Sequence, residues 1–543
     1  MSKRKTGFSI LSLLLILSIF LTACNSGEVG GDEKEGKSDG KPQKGGDLVI
    51  GSTGEPTMFN ALYSTDASSS DIEGFIFDGL VGSDTDLNPT MKLAEKIDQS
   101  EDGMTYNVTL KKGVKWHDGE EFTADDVVFT YNIPLNKDYA GERGSNFEMI
   151  DKVTKKGDYE VEFKLKHPDP SFLPVSLSYG ILPEHILGDV PIKDLGEHEF
   201  NRKKPIGTGP FKFVEWKQGQ YVKVEAFEDY YGEGPYLDTL TYKVIPDANA
   251  AIAQLQAGDI NYFVVPGTDV KTVEKFDHVK LESDLGLNYS YIGWNEKNEL
   301  FKDKKVRQAL THAIDRESIV QNVLDGDGEV ANIPESPVSW NYPKDADIPV
   351  FEYDPEKAKK MLKEAGWEDT DGDGILDKDG KKFSFNIKTN QGNKVREDAA
   401  VVIQQQLKEI GIEAKPQIVE FSALIEQTSA PNWDYDALLL GWSLATFPDQ
   451  YDIFHSSQSK VGLNNIWYKN EEVDKLLVNA KKLKDRKEYS KAYEKIYKMI
   501  AEDQPYTFLF YYNYHRAIPK NLQGFEFHPK NDFYEVNKWW LKK

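Results

Sequence analysis

The sequence has a single cysteine, Cys24, in 543 residues. No disulfide can form within such a chain, so its folded part must hold together through its core. Histidine is scarce as well, nine in all, and no two are spaced as metal ligands, which argues against a transition-metal receptor. Basic charge is short: 66 Lys and Arg stand against 90 Asp and Glu, a formal charge of −24. An excess of that size repels nucleic acid and anionic lipid surfaces. Long apolar runs are absent after the first two dozen residues, so nothing beyond Cys24 is expected to cross a membrane.

What stands at the N-terminus is the pattern of an export signal. Lys3, Arg4 and Lys5 precede the charge-free run Phe8–Leu21, and Leu21-Thr22-Ala23-Cys24 closes it. The run is too short to span a bilayer comfortably, and small residues mark a cleavage site. A cysteine directly after them is the pattern lipoprotein signal peptidase reads. Residues 1–23 are thus expected to be a signal peptide, with Cys24 lipidated and the protein held on the outer face of a Gram-positive cell membrane. Acyl chains contribute about 0.8 kcal/mol per buried CH₂, so two on one cysteine anchor stably. Cleavage removes three basic residues and leaves 63 against 90, a balance of −27.

Residues 24–45, dominated by Gly, Lys, Ser and acids, predict a flexible tether. Gly31, Gly36, Lys37 and Ser38 match a phosphate-loop pattern letter for letter. That motif needs a strand before it and a helix after it, and Asp32, Glu33 and Glu35 would repel phosphate, so ATP binding is rejected.

Beyond the tether, the first half reads as strands and turns. Tyr106, Val108 and Leu110 alternate with polar residues, as do Tyr159, Val161, Phe163 and Leu165. The second half reads as capped helices. Asp354-Pro355-Glu356 opens one, with Ala358, Met361, Leu362 and Ala365 on one face and Gly366 as the stop. A single helix carries Val306, Leu310, Ala313, Ile314, Val320 and Leu324; others carry Ala399, Ile403, Leu407 and Ile410, then Tyr489, Tyr493, Ile496 and Ile500. Strand candidates lie around Ile387, Ile418 and Leu438–Leu440. The alternation argues for an α/β lobe with loops at strand ends free for binding.

Three stretches resemble the family 5 extracellular solute-binding proteins, the peptide-binding subunits of ABC importers. The first runs from Leu93-Ala94-Glu95 through DGMTYNVTLKKGVKWHDGEEFTADDVVFTY, residues 102–131. The second is Pro205-Ile206-Gly207-Thr208-Gly209-Pro210-Phe211 with Leu255-Gln256-Ala257-Gly258-Asp259; the third is Trp294-Asn295 followed by KKVRQALTHAIDRESI at 304–319. The resemblance implies an α/β, bilobal periplasmic-binding-protein-like (type II) fold with an inserted α+β domain. Lobe one would comprise 46–88, 205–288 and 510–543, the insert 89–204 and lobe two 289–509. It also implies a monomer with an oligopeptide ligand, membrane permease subunits as partners, no nucleic acid and no catalysis. Other solutes on the same scaffold (an oligosaccharide, a nickel chelate, a signalling peptide) are the rival reading. His117 reads as a surface hydrogen-bonder, Gly207 and Gly209 as a tight turn, and Arg307 and Asp315 as pairing or capping residues.

Gly441-Trp442-Ser443-Leu444-Ala445 is the expected ligand segment, a strand end facing the cleft. Peptides of many sequences are held through their backbone if added as an extra strand. The resemblance implies an acid shortly after Gly-Trp for the ligand ammonium; Ala445 stands at the matching position, with Asp449 beyond it. On the opposite lobe it implies contacts from Thr53, Gly54 and Glu55. The amide-rich Asn390, Gln391 and Asn393, together with Asn295 and Trp467, complete the candidates, while Trp340 and Tyr291 are weaker because large aromatics are usually core. Gly441-x-Ser443-x-Ala445 also resembles a nucleophile elbow, with Asp449 or Asp503 and His515 or His528 in chain order. Pro448 interrupts the helix that an elbow requires, so a serine hydrolase is disfavoured. Finally, Asp369, Asp371, Asp373 and Asp377 space like a calcium loop, although Gly380 occupies the position of its closing glutamate.

Overall fold

The computed structural model describes residues 41–428, 432–460 and 462–543. The signal peptide, Cys24, the phosphate-loop look-alike and most of the tether lie outside the described residues. The tether's last residues are not free. Gly45 N donates to Tyr236 O at 2.8 Å, Lys44 meets Glu228 at 2.9 Å, and Gln43 accepts from Lys543 N at 3.2 Å. Those bonds replace the solvation on which the tether expectation rested.

Twelve strands form one large mixed sheet. In chain order they are β1 Asp47–Ser52, β2 Phe211–Lys217, β3 Tyr221–Ala226, β4 Thr239–Val244, β5 Tyr262–Val265, β6 Val279–Leu285, β7 Asn288–Trp294, β8 Gly328–Val330, β9 Ser384–Asn390, β10 Glu413–Val419, β11 Ala437–Ser443 and β12 Tyr506–Pro519. The order across the sheet is β10-β9-β11-β7-β12-β5-β1-β4-β3-β2, with β6 and β8 also on β12. Strand β12 belongs to both halves. Its first part pairs with β7, Gly293 opposite Tyr506, and its second with β6 and β5, Leu285 opposite Asn513 and Val265 opposite His515. The chain therefore passes between the halves twice, at 285–288 and within β12, and the two passages lie side by side. Gly286 N reaches Tyr512 O at 3.5 Å, and Asn288 exchanges two hydrogen bonds with the Tyr512 backbone.

Burial explains why these segments became strands. Leu438 and Leu440 enter one apolar cluster with Tyr289, Tyr489, Tyr493 and Ile500, while Leu439 enters another with Trp294, Leu310, Ile403 and Leu407. A strand covered on both faces must be apolar throughout, which is why 437–440 shows no alternation. The first half differs. Residues 94–165 add a separate four-stranded antiparallel sheet whose Tyr106, Val108, Val161 and Phe163 point inward, as the period-two reading predicts. One cluster runs from Leu48 and Ile72 through these residues to Trp539, so this small sheet shares its core with the first half.

The helices follow their caps. Asp354 accepts from Lys357 N at 2.9 Å to open Pro355–Glu364, and Asn393 accepts from Arg396 N at 3.0 Å to open Lys394–Glu409. The expected single helix over 304–324 is two, Lys304–His312 and Arg316–Val323. Asp315 causes the break: its side chain accepts from Ser318 N at 2.9 Å and so caps a new helix. Arg307 caps another element, donating to the carbonyls of Asp503 and Gln504 at the end of Arg486–Asp503. His117 is half-buried rather than on the surface. It accepts from Gly207 N at 3.2 Å through Nδ1 and reaches Gly209 O at 2.9 Å, and burial pushes its imidazole down to about 4. That fixes the Gly207–Gly209 turn, where a Cβ on Gly207 would stand 1.9 Å from Ile76 O.

Candidate functional site

Strand β11 carries the site because one of its edges is open. It pairs with β7 over its whole length, from Trp294–Ala437 to Asn288–Ser443, but with β9 only at Ala437 and Leu438. From Leu440 onward no described strand lies on the β9 side, so backbone donors and acceptors face outward where an extended ligand can pair with them. The backbone is tight here. A Cβ on Gly441 would stand 2.9 Å from Tyr289 O and 2.8 Å from Arg396 Nη2, so only glycine lets the Arg396 guanidinium lie against the strand. Trp442 stacks on Tyr291 with 6.4 Å between ring centroids and packs half-buried against the second-half core. Ser443 and Ala445 are exposed and Leu444 is buried.

A cavity of about 560 Å³ is lined in part by Ser290 and Arg396, which both approach Gly441 of this strand. Its walls come from both halves of the sheet: Val265 and Gly267 from the end of β5, Tyr512 and Tyr514 from β12, Ser290 from β7, and Arg396 from the helix after β9. The acids around it are engaged. Asp327 meets His515 Nε2 at 2.5 Å and accepts from Asn513, Asp325 pairs with Lys271 at 2.9 Å, and Asp532 accepts from Arg516 Nε at 2.7 Å. Two cations are not. Arg396 donates from Nη1 to Asn390 Oδ1 at 2.8 Å but meets no carboxylate within ion-pair distance among the described residues, and burial lowers its pKa. Lys530 is open to solvent and donates to Ser443 Oγ at 3.0 Å; desolvation by surrounding protein lowers its pKa against the opposing pull of Asp532.

The sequence candidates divide accordingly. Gly441, Trp442, Ser443 and Leu444 lie on or directly after the open-edged strand, with Ala445 next, and Asn390 joins them through Arg396. Gln391 N is spent on Val419 O and Asn393 on its helix cap. Thr53 and Gly54 follow β1, and Gly54 N turns back to Ser52 Oγ at 3.1 Å. Glu55 is not a free acid: it accepts from Gly219 N at 2.7 Å and closes the β2–β3 hairpin. Asp449 is likewise taken, by Tyr493 Oη at 2.9 Å and Lys481 at 3.3 Å. Asn295 and Trp467 are not brought to the ligand strand. Asn295 bonds to Tyr435 O and Trp467 packs on Trp433 under Lys297. They sit beyond the start of β11, roughly 20 Å from its far end by strand rise. Arg396 and Lys530 went unread because the strand each meets, at Gly441 and Ser443, is distant in sequence.

Ser443 has no histidine beside it. His515 bonds Ser283 and Asp327, and His528 bonds Ser83 and the backbone of Lys530 and Asn531. The β11 strand also ends at Ser443 without entering a helix. At the acidic loop, Asp369, Asp371 and Asp373 bring ligand atoms within 4.8 Å of one another. Asp377 does not join them, since both its oxygens accept from Thr370. The Lys382 ammonium stands 2.6 Å from Asp371 and 2.9 Å from Asp373, where a calcium ion would sit.

Comparison with known proteins gives four likenesses of wide coverage. The family model described as bacterial extracellular solute-binding proteins, family 5 Middle, matches residues 88–465. The chain is 67% identical over 544 residues to the oligopeptide-binding protein AppA of Bacillus subtilis strain 168, covering 100% of both. The solved structure of Bacillus subtilis AppA in complex with a nonapeptide aligns with a TM-score of 0.78 at 69% identity, over 93% of this chain and 100% of that one. NikZ from Campylobacter jejuni in complex with Ni(L-His) also aligns with a TM-score of 0.78, at 32% identity over 91% and 99%.

Proposed function

The chain belongs to the family 5 bacterial extracellular solute-binding proteins, and from that premise we propose that it captures extended oligopeptides for an ABC importer. The observation that carries the reading is the open edge of β11 beside the inter-half cavity. Backbone pairing there is indifferent to side chains, which suits a carrier of many peptides. The nonapeptide held by the similar AppA supports a ligand of that kind. A nickel-chelate role is less well supported. Among the described residues, three potential metal ligands converge only at exposed Asp369, Asp371 and Asp373, away from the cavity.

The rest of the reading extends that proposal, with family membership and the N-terminal export pattern as its support. Lobe one (46–88, 205–288, 510–543) and lobe two (289–509) close on the peptide by hinge motion, with 89–204 as the insert. The protein acts as a monomer, tethered to the outer face of the membrane through lipid on Cys24, and passes its cargo to permease subunits. Its role is binding rather than catalysis, a reading supported by the solute-binding family to which it belongs. No helix among the described residues is long and apolar enough to cross a membrane.

Native mass spectrometry of the protein, purified without refolding, tests the ligand class. A ladder of adducts that sequence as mixed peptides is expected. A single non-peptide mass would move the assignment to another solute.

A further inference from the structure

Two cations near β11 lack the carboxylate partners that the acids of this region have found among its other groups. The chain carries −24, yet the acids near the cavity are each engaged by a partner, while Arg396 and Lys530 have no carboxylate within ion-pair distance among the described residues. A guanidinium that loses water without gaining an anion costs free energy, and a fold retains such a cost where a ligand later offsets it.

The spacing of the two cations narrows what that ligand is. Arg396 lies against Gly441 and Lys530 bonds the side chain of Ser443. Positions 441 and 443 are two apart on one strand, so they face the same side, separated by about 7 Å. A peptide laid along the open edge has the same repeat: its residues i and i+2 face one side and residue i+1 the other. We propose that the cleft selects extended peptides bearing carboxylates on alternate residues, i and i+2, one received by Arg396 and the other by Lys530. Arg396 can take its carboxylate in bidentate fashion, whereas Lys530 offers a mobile point charge. Ser443 Oγ, which accepts from Lys530, positions the ammonium for that carboxylate. This inference rests on the peptide reading above and adds the class of peptide.

Isothermal titration of the whole protein with four end-blocked octapeptides tests it. All share an alanine–serine–threonine host; one has no charge, one a single Glu, one Glu at i and i+2, and one Glu at i and i+1. Each charged hydrogen bond is expected to tighten binding by at least about tenfold. The i,i+2 peptide then binds about a hundredfold tighter than the neutral one, and the i,i+1 peptide no tighter than the single Glu. In Lys530→Met the ratio of i,i+2 to single-Glu affinity falls to about one, since only one cation remains. Equal affinity for the neutral and i,i+2 peptides overturns the proposal, as does an i,i+1 peptide that matches i,i+2. If none of the four binds, the neutral one included, the peptide reading itself fails and the charge pattern with it.

Discussion

Replacing Arg396 by methionine separates a ligand-binding role from a structural one, because the two predict opposite balances of affinity and stability. Methionine keeps the length and most of the volume of the side chain and removes its charge. In the folded protein Arg396 makes one side-chain hydrogen bond, to Asn390 Oδ1 at 2.8 Å. Losing that bond, made by a charged donor, costs about 1.5–3 kcal/mol. The variant also escapes the desolvation that lowers the arginine's pKa, which offsets part of that loss. In a chain of this size the net loss is small against the total, so Tm is expected to stay within a few degrees of wild type. Binding has no such compensation. A hydrogen bond to a charged group contributes about 1.5–3 kcal/mol, so affinity for a carboxylate-bearing peptide should fall about 10- to 150-fold. Titration calorimetry with a peptide eluted from the protein, alongside a thermal melt, reads both quantities. Unchanged affinity at unchanged Tm would show that the guanidinium does not touch the ligand. Lost affinity with a melt lowered by ten degrees or more would show that Arg396 only holds the fold.

Stability should fall as pH rises from about 5 to 8. Burial pushes the carboxyls of Glu73, Glu296 and Glu335 up to about 7 and that of Asp71 up to about 8. Their folded-state values lie above the ordinary 4.5 or 3.8, so the folded protein keeps protons that the unfolded chain has released, and stability is lost as pH rises through that window. His117 and His528, pushed down to about 4, work the other way between pH 4 and 6.5, but they are two groups against four. Glu335→Gln, at a residue 1% exposed that accepts from Tyr497 Oη at 2.6 Å, should flatten the decline in Tm measured by calorimetry. An undiminished slope in that variant, or a Tm that climbs across the range, contradicts the assignment. At the acidic loop, Lys382 already neutralises Asp371 and Asp373. Calcium is therefore expected to raise the Tm of Lys382→Ala more than that of wild type, and equal shifts would mean that the ammonium does not compete for the site.

Much of the scaffold was legible from local pattern. The alternation at 106–110 and 159–165 and the cap at Asp354 each depend on neighbours within a few residues, and those became strands and a helix. The Asp315 break was legible in principle, since an Asp three residues before a serine N–H is a capping geometry, but the continuous apolar stripe from Val306 to Leu324 masked it. The site was only half legible. Gly441-Trp442-Ser443 announced itself because a glycine and a tryptophan end a buried strand. Lys530 reaches Ser443 from 87 positions away, and nothing near residue 530 marks it. Glu55, Asp449 and Trp467 misled for the converse reason: a loop acid or aromatic reads the same whether it awaits a ligand or already has Gly219, Lys481 or Lys297 beside it.

The two side-by-side passages between the halves of the sheet limit how this protein can move. They form a narrow antiparallel ribbon, Leu285–Asn288 against Tyr512–Asn513 with Gly328 of β8 on the far side of Tyr512, held in plane by backbone bonds and by the Asn288 carboxamide. A thin ribbon bends easily about the axis lying across it and resists shear within its own plane, as a flexure joint does. Opening therefore has one soft coordinate rather than several. A spectroscopic pair placed anywhere across the cleft should report the same transition, with amplitude growing in proportion to distance from the ribbon. Ligand contacts far from the ribbon then act with the longest lever arm on closure.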